Sequence, residues 1–296
     1  MKKTEKYGIF LALFSAVLYA LSTPFSKILL ESVPSTMMAG LLYIGAGIGM
    51  GFVALFRKKT NRKPEDGKFT KAEFPYVFGM ILLDIAAPVC LMFGLRMTSA
   101  ANASLLNNFE YAATALIAFF IFGEKISKRL WLGISATVLA CMILSFEGTA
   151  AFDFSKGSAL VLLSAVLWGI ENNCTKALSE KDPMKIVILK GVFCGGTSFL
   201  IAVFAGEKAE NISAVVFALL LGAVSYGLSI FVFVYAQRYL GAARTSVYSA
   251  ATPFAAAALS LVIFREVPEK QYFAALLLMI FGAFLSSGDK PLFKKD

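Results

Sequence analysis

Apolar runs of bilayer length follow one another along the chain, separated by short polar links. Ten are legible, at residues 7–30, 34–56, 74–94, 101–122, 130–147, 157–178, 184–205, 212–236, 243–264 and 271–287. Most have the 18 to 25 residues that an α-helix needs to cross hydrocarbon. The pattern predicts an all-α integral membrane protein with ten transmembrane helices. The longest link, 57–73, has 17 residues, so no soluble domain is expected between the spans. Lys2, Lys3 and Lys6 ahead of the first run have the look of a secretory signal. That run is too long for the apolar core of a signal, and a related run lies mid-chain, where nothing is cleaved. It is read as an uncleaved first helix.

The related run is the first sign of duplication. Leu13 to Pro34, LFSAVLYALSTPFSKILLESVP, recurs 149 positions later as LLSAVLWGIENNCTKALSEKDP, Leu162 to Pro183, with nine of 22 positions identical. A second match runs from Arg96 to Glu124 against Arg238 to Glu266, at a shift of 142. In both copies an arginine opens the link, small residues start the helix, and Ile-Phe-x-Glu closes it. The copies are offset by five spans, an odd number, so the second crosses the bilayer the other way, as in many secondary transporters. The expected organisation is a five-helix repeat at 1–148 and a second, inverted one at 155–288.

Charge tests the inversion independently. With the N-terminus placed in the cytoplasm, 21 of the 28 Lys and Arg fall in cytoplasmic segments and six in outside links, Lys190 lying within a span. This positive-inside bias predicts that both termini are cytoplasmic, in a multi-pass protein of the cell membrane. It also accounts for the net charge of +9 without a nucleic-acid partner. The link after span 2 carries seven cations, whereas its counterpart at 206–211 carries one lysine and two glutamates. Equivalent loops of opposite character are what inversion produces.

Composition agrees: 58% of residues are hydrophobic and 16% charged, with a mean hydropathy of +0.73. Soluble domains are nearer a quarter charged. The sequence has no histidine, the usual general base and commonest metal ligand. Cys90, Cys141, Cys174 and Cys194 fall in separate spans without metal spacing and read as small apolar fillers. Neither a metal nor a cofactor is expected.

Charges at bilayer depth carry the functional signal. Asp84, Glu110 and Glu171 lie near the middles of spans 3, 4 and 6. Ionised in lipid, they would together cost on the order of 8–10 kcal/mol. They must therefore face a watery cavity, be paired, or be protonated. Helical spacing puts Ser164, Trp168, Glu171 and Thr175 on one face of span 6, with Asn172 and Asn173 beside them. Asn107, Glu110, Tyr111 and Thr114 form a similar stripe on span 4. Span 1 contributes Tyr19, Ser22 and Thr23, the repeat-mates of Trp168, Glu171 and Asn172; span 8 contributes Tyr226 and Ser229; span 9 contributes Ser249 and Thr252 next to Pro253. The candidate substrate-binding set is Glu171, Glu110, Trp168, Asp84, Asn107, Tyr111, Asn172, Tyr19, Ser22, Tyr226, Ser249 and Thr252. Membrane Asn, Ser and Thr also serve simply as bonds between helices. Lys190, some six residues into span 7, is expected to snorkel to the cytoplasmic surface, with an ion pair to Glu171 as the alternative. Glu124 and Glu266 are expected to order helix ends. Gly45-x-x-x-Gly49 and Gly47-x-x-x-Gly51 are read as close-packing motifs.

On these features the chain resembles the drug/metabolite transporter superfamily, specifically the EamA family. The resemblance is carried by Ser15-Ala-Val-Leu-Tyr19 and Ser164-Ala-Val-Leu-Trp168, by Lys27 and Lys176, and by the helix ends Phe-Gly-Glu124 and Phe-Arg-Glu266. It covers nearly the whole chain. It implies a central cavity lined mainly by helices 1, 3, 4, 6, 8 and 9, and a small-metabolite cargo.

The expected function is secondary transport of a small polar, amine-bearing metabolite, such as an amino acid, by alternating access. Three deep acids against one base favour an amine or a proton, so Glu171 or Glu110 is a candidate for proton coupling. Tyr19 and Trp168 could give a cation–π contact. Two rival readings are an intramembrane enzyme using Asp84 and Glu110 as a carboxylate pair, and a membrane receptor that transports nothing. No nucleophile motif supports the former and no soluble partner domain the latter.

Overall fold

The computed structural model describes residues 3–59, 69–122, 127–145, 155–178, 181–240, 248, 251–265 and 270–287. The regular elements among them are all helical. They are α1 (Lys3–Ala20), α2 (Ser22–Leu29), α3 (Ser35–Lys59), α4 (Phe74–Met97), α5 (Ala100–Leu106), α6 (Phe109–Phe122), α7 (Lys128–Ser145) and α8 (Lys156–Ala177). Then come α9 (Pro183–Lys190), α10 (Gly196–Phe204), α11 (Ile212–Leu221), α12 (Ser229–Leu240), α13 (Thr252–Phe264) and α14 (Lys270–Ser287). A short 3-10 turn, Lys71–Glu73, precedes α4, and π-helical turns at Gly191–Gly195 and Gly222–Leu228 join α9 to α10 and α11 to α12.

Among the described residues, six stretches are long and apolar enough to cross a membrane: Lys6–Leu29, Ser35–Phe56, Lys71–Met97, Ala100–Ile121, Pro183–Phe204 and Ile212–Ala236. Shorter apolar helices run at Trp131–Ile143, Phe254–Phe264 and Lys270–Gly282. Helix α8 has the length, at 22 residues, but Glu171, Asn172, Asn173 and Lys176 make it more polar. Large apolar side chains cover the outside, among them Phe10, Phe56 and Phe204. A water-soluble protein rarely leaves so much apolar surface uncovered. The chain is a multi-pass membrane protein.

Several predicted spans are broken, each for a local reason. Helix α1 gives way to α2 at Leu21 because Pro24 has no N–H to donate to the Ala20 carbonyl. The stretch from Ala100 divides at Asn107 and Asn108, where the Asn108 and Glu110 amides turn back to Leu105 and Asn107 carbonyls at 3.0 and 3.1 Å. These three-residue bonds tighten the chain where α5 ends and α6 begins.

Glycines set how the helices meet. Helices α4 and α8 run antiparallel: Gly94 abuts Val161 and Gly157, Gly157 abuts Met97, and Gly79 faces Cys174. Helix α3 runs antiparallel to α9–α10, with Gly47 against Gly191, Ile44 against Gly195, and Gly40 against Phe199. Near the ends of α7 and α14 the Arg129 guanidinium lies 5.9 Å from the Phe284 ring centre, and Gly282 faces Gly133 and Thr137. Helix α8 packs on α4 and α6, while α1 packs on α12 and α13. One apolar cluster runs through both halves, from Leu30, Met38 and Leu95 to Val187, Cys194 and Ala218. The buried Cys141 and Cys194 lie within the packing as thiols and form no disulfide.

Polar ties close the ends. The Lys27 ammonium donates to the Leu95 and Thr98 carbonyls that end α4, the latter at 2.8 Å. Arg96 returns the favour to the Leu30 carbonyl that ends α2, at 2.8 Å. Each cation satisfies orphan carbonyls at a helix C-terminus, where it also complements the helix dipole. Two further ties join the halves. The Glu207 carboxylate accepts the Met37 amide at 2.8 Å, and Lys181 pairs with Glu73 at 3.0 Å. Lys27→Met is expected to cost about 1–2 kcal/mol of stability, because two helix-end carbonyls lose a charged donor. A lowered melting temperature in detergent would register it.

Candidate functional site

A cavity of about 100 Å³ lies where the two halves meet. Most of the residues singled out from the sequence stand on its wall: Tyr19 from α1, Asp84 from α4, Glu110 and Tyr111 from α6, and Trp168, Glu171 and Asn172 from α8. Tyr226, from the second π turn, and Thr252, at the start of α13, complete this set. Asn107 and Ser22 are not among the lining residues: Ser22 is buried at the head of α2, and Asn107 ends α5. Ser249 lies outside the described residues, as do Glu124 and Glu266.

Three charged groups meet on one side of the cavity. The Lys190 ammonium sits 2.8 Å from Asp84 Oδ2 and 2.8 Å from Glu171 Oε1. Asp84 is 1% exposed, Glu171 3% and Lys190 4%. Snorkelling, the expectation for Lys190, therefore does not occur. The ion pair with Glu171 forms instead, and Asp84 joins it. The physical reason is arrangement: α4 and α8 carry both carboxylates to the end of α9, so the lysine finds two partners nearer than the membrane surface.

Each carboxylate has further support. Asp84 Oδ1 accepts the Tyr43 hydroxyl at 2.7 Å and the Trp168 indole N–H at 3.2 Å. Glu171 Oε1 accepts a short hydrogen bond from the Thr175 hydroxyl, one turn along α8. Buried charges held by this many donors are fixed in place. Pro88, four residues beyond Asp84, has no N–H for the Asp84 carbonyl. Glu110 stands apart from this trio. Its Oε1 accepts the Asn172 amide at 2.8 Å, and Asn172 also reaches the Thr114 hydroxyl at 3.3 Å. With all four groups ionised, the wall carries a net charge of minus two.

The rest of the lining is aromatic and apolar. Tyr226 packs on Tyr19 and Tyr43, with ring centres 5.4 and 5.1 Å apart. Ile230, Phe233 and Val234 of α12 face the same space. Ser15 also lines it, and its hydroxyl donates to the Ser229 carbonyl at 2.9 Å, tying α1 to α12. The volume is small beside the 300–1,000 Å³ usual for small-molecule sites.

Two wall residues come from helices that the resemblance leaves out of its cavity, the second and the seventh. Tyr43 gives no sequence signal, since a tyrosine among glycines and leucines is ordinary in a membrane helix. Lys190 is visible as a lone cation, but its partners are not. Lys27, by contrast, belongs to the helix-end tie and not to the cavity.

Residues 6–146 and 155–288 both match the EamA-like transporter family. The chain belongs to that family. Among curated relatives of this EamA-family chain is an uncharacterized transporter of Methanothermobacter thermautotrophicus, 26% identical over 94% of this chain and 85% of its own length. The uncharacterized inner membrane transporter YedA of Escherichia coli is 23% identical over 99% and 95% of the two chains. The uncharacterized transporter YetK of Bacillus subtilis is 22% identical over 95% and 87%. A protein crystal structure shares the fold, with a TM-score of 0.64 at 17% identity, covering 95% of this chain and 96% of its own.

Proposed function

We propose that this EamA-family protein is a secondary transporter that moves a small polar, amine-bearing metabolite through the cavity by alternating access. The observation that carries the reading is the wall itself: three carboxylates, two of them buried and Glu110 half-buried, and one lysine, supplied by both halves of the chain, around a space at their junction. Among the described residues Glu110 has no cation at hydrogen-bond distance, which makes it the group to take a proton or a cationic end of the cargo. An amino acid or related amine fits a wall that is acidic on one side and aromatic on the other.

The repeats at 1–148 and 155–288 are read as inverted halves of ten spans in the cell membrane, with both termini cytoplasmic. Antiparallel packing of α3 on α9–α10 supports this, since these are corresponding second helices of the two halves. The match of α1 with α12 and α13 to α8 with α4 and α6 is the exchange that a two-fold relation between the halves requires. The charge bias of the links supports the orientation. The carboxylate-enzyme alternative loses ground, because Asp84 and Glu110 make their hydrogen bonds to different partners and share none.

The test is uptake of a tritiated mixture of the protein amino acids by proteoliposomes. Wild type is expected to accumulate label, and Glu110→Gln to slow it by about tenfold or more, the scale of a lost charge-assisted contact. Unchanged rates in both Glu110→Gln and Glu171→Gln would remove these acids from the mechanism.

A further inference from the structure

We propose that the Asp84–Glu171 pair is the carrier's ammonium subsite, and that Lys190 fills it as a tethered cation while the cavity is empty of cargo. The proposal rests on the transport reading and names the groups that meet the cargo's charged end.

An ammonium taken out of water needs carboxylate oxygens at hydrogen-bond distance, and aromatic faces strengthen its binding. Lys190 has its two oxygens, each at 2.8 Å. Tyr43 and Trp168 hold one of the two carboxylates in position from the other side. The trio is not sealed inside helix packing. Asp84, Glu171 and Lys190 all line the cavity, so an ammonium arriving there meets the same oxygens. The Tyr226 hydroxyl shares this wall, is buried, and makes no hydrogen bond of normal geometry, leaving it for a polar group of the cargo.

The lysine also sits at a change in backbone geometry. It is the last residue of α9, and the π turn Gly191–Gly195 begins at the next position. A wide turn holds one spare backbone position, and such turns recur at functional sites. Shifting it along the helix rotates the residues that precede it. On the lipid side the turn borders an apolar groove of about 260 Å³, lined by Ile44, Gly47, Gly191 and Val192. One flank of the turn is thus open, while Gly191 and Gly195 pack on the α3 backbone.

The need for a stand-in follows from the carrier cycle. Two ionised carboxylates buried side by side without a cation are strongly unfavourable. A carrier that has released its cargo must return through the membrane with that pair compensated. A lysine beside the pair supplies the charge. Without it, exchange of cargo for cargo continues, since the subsite is filled on each crossing, whereas the empty return stalls.

Two measurements test this. In the first, purified Lys190→Ala is melted in detergent with propylammonium chloride or with potassium chloride at equal concentration. The variant is expected to melt below wild type and to regain about 5 °C with propylammonium over potassium, while wild type moves by less than about 1 °C. If Lys190→Ala does not fold, Lys190→Ala with Glu171→Gln carries one bare acid instead of two, and the same preference for propylammonium is expected. Equal shifts in wild type and variant, or no gain over potassium, overturn the proposal. In the second, proteoliposomes are given the tritiated amino-acid mixture. In the single variant the ratio of exchange to net uptake is expected to rise by at least about tenfold over wild type. Loss of both together, or of neither, contradicts it. Wild-type vesicles that move none of the mixture count against the amine-cargo reading alone, and the melting comparison still decides the subsite.

Discussion

Asp84→Ala is expected to remove about 3–5 kcal/mol of stability and all transport. The substitution deletes a carboxylate that three groups depend on: the Tyr43 hydroxyl, the Trp168 indole and the Lys190 ammonium. Breaking a buried pair by removing one partner leaves the other charge in a dry site, and that penalty dominates the loss. Lys190 keeps Glu171, so the damage is severe but local. Adding Lys190→Met to Asp84→Ala is expected to lose less than the sum of the single losses, by about 1–3 kcal/mol, because the stranded cation is gone. Melting or denaturant titration of the four proteins in one detergent checks this. Additive losses would mean that Asp84 and Lys190 do not act as a pair.

The second large effect is steric. A Cβ on Gly45 would lie 2.1 Å from the Leu219 carbonyl oxygen, and one on Gly222 would lie 2.1 Å from that of Leu42. Both obstacles are backbone and cannot rotate away. Gly45→Ala must push α3 off α11 and is expected to cost about 1–3 kcal/mol or more, the scale of overpacking. Gly51, on the same helix, has nothing within 4 Å of the added atom. Gly51→Ala is expected to be neutral or to stabilise by up to about 1 kcal/mol through helix propensity. The yield and melting temperature of the two variants, prepared side by side, decide whether α3 is held by contact or by its own helicity.

These two sites mark what the sequence reveals and what it hides. Apolar length reveals the helical stretches, because hydrocarbon thickness fixes how many residues a span needs. Pro24, the Asn107–Asn108 pair and the two π turns break stretches that read as continuous. Hydrophobic periodicity cannot sense a missing amide partner or one extra residue in a turn. The acids at 84, 110 and 171 stand out because burying a charge is costly wherever it lies. The glycine spacing 45, 47 and 49 points to close packing, and the partners prove to be Leu219, Gly191 and Ala223 of the second half. Tyr43 and the pairing of Lys190 stay hidden. A tyrosine in a membrane helix carries no penalty that demands explanation. Whether a lysine near a helix end reaches water or an acid depends on which helices stand beside it, which only the fold determines. Asn107 and Ser22 share a stripe with wall residues yet do not line the cavity, and the helices break beside them, at Leu21 and Asn107.

Alternating access through this cavity is tested most directly by its exposure to each side of the membrane. Thr252 lines the cavity and is buried. In a variant with Cys90, Cys141, Cys174 and Cys194 replaced, Thr252→Cys in sealed vesicles can be offered a membrane-impermeant thiol reagent from one face or the other. The account predicts labelling from both faces, each blocked when the carrier is held open to the opposite one. Labelling from a single face under every condition, or from neither, would contradict it.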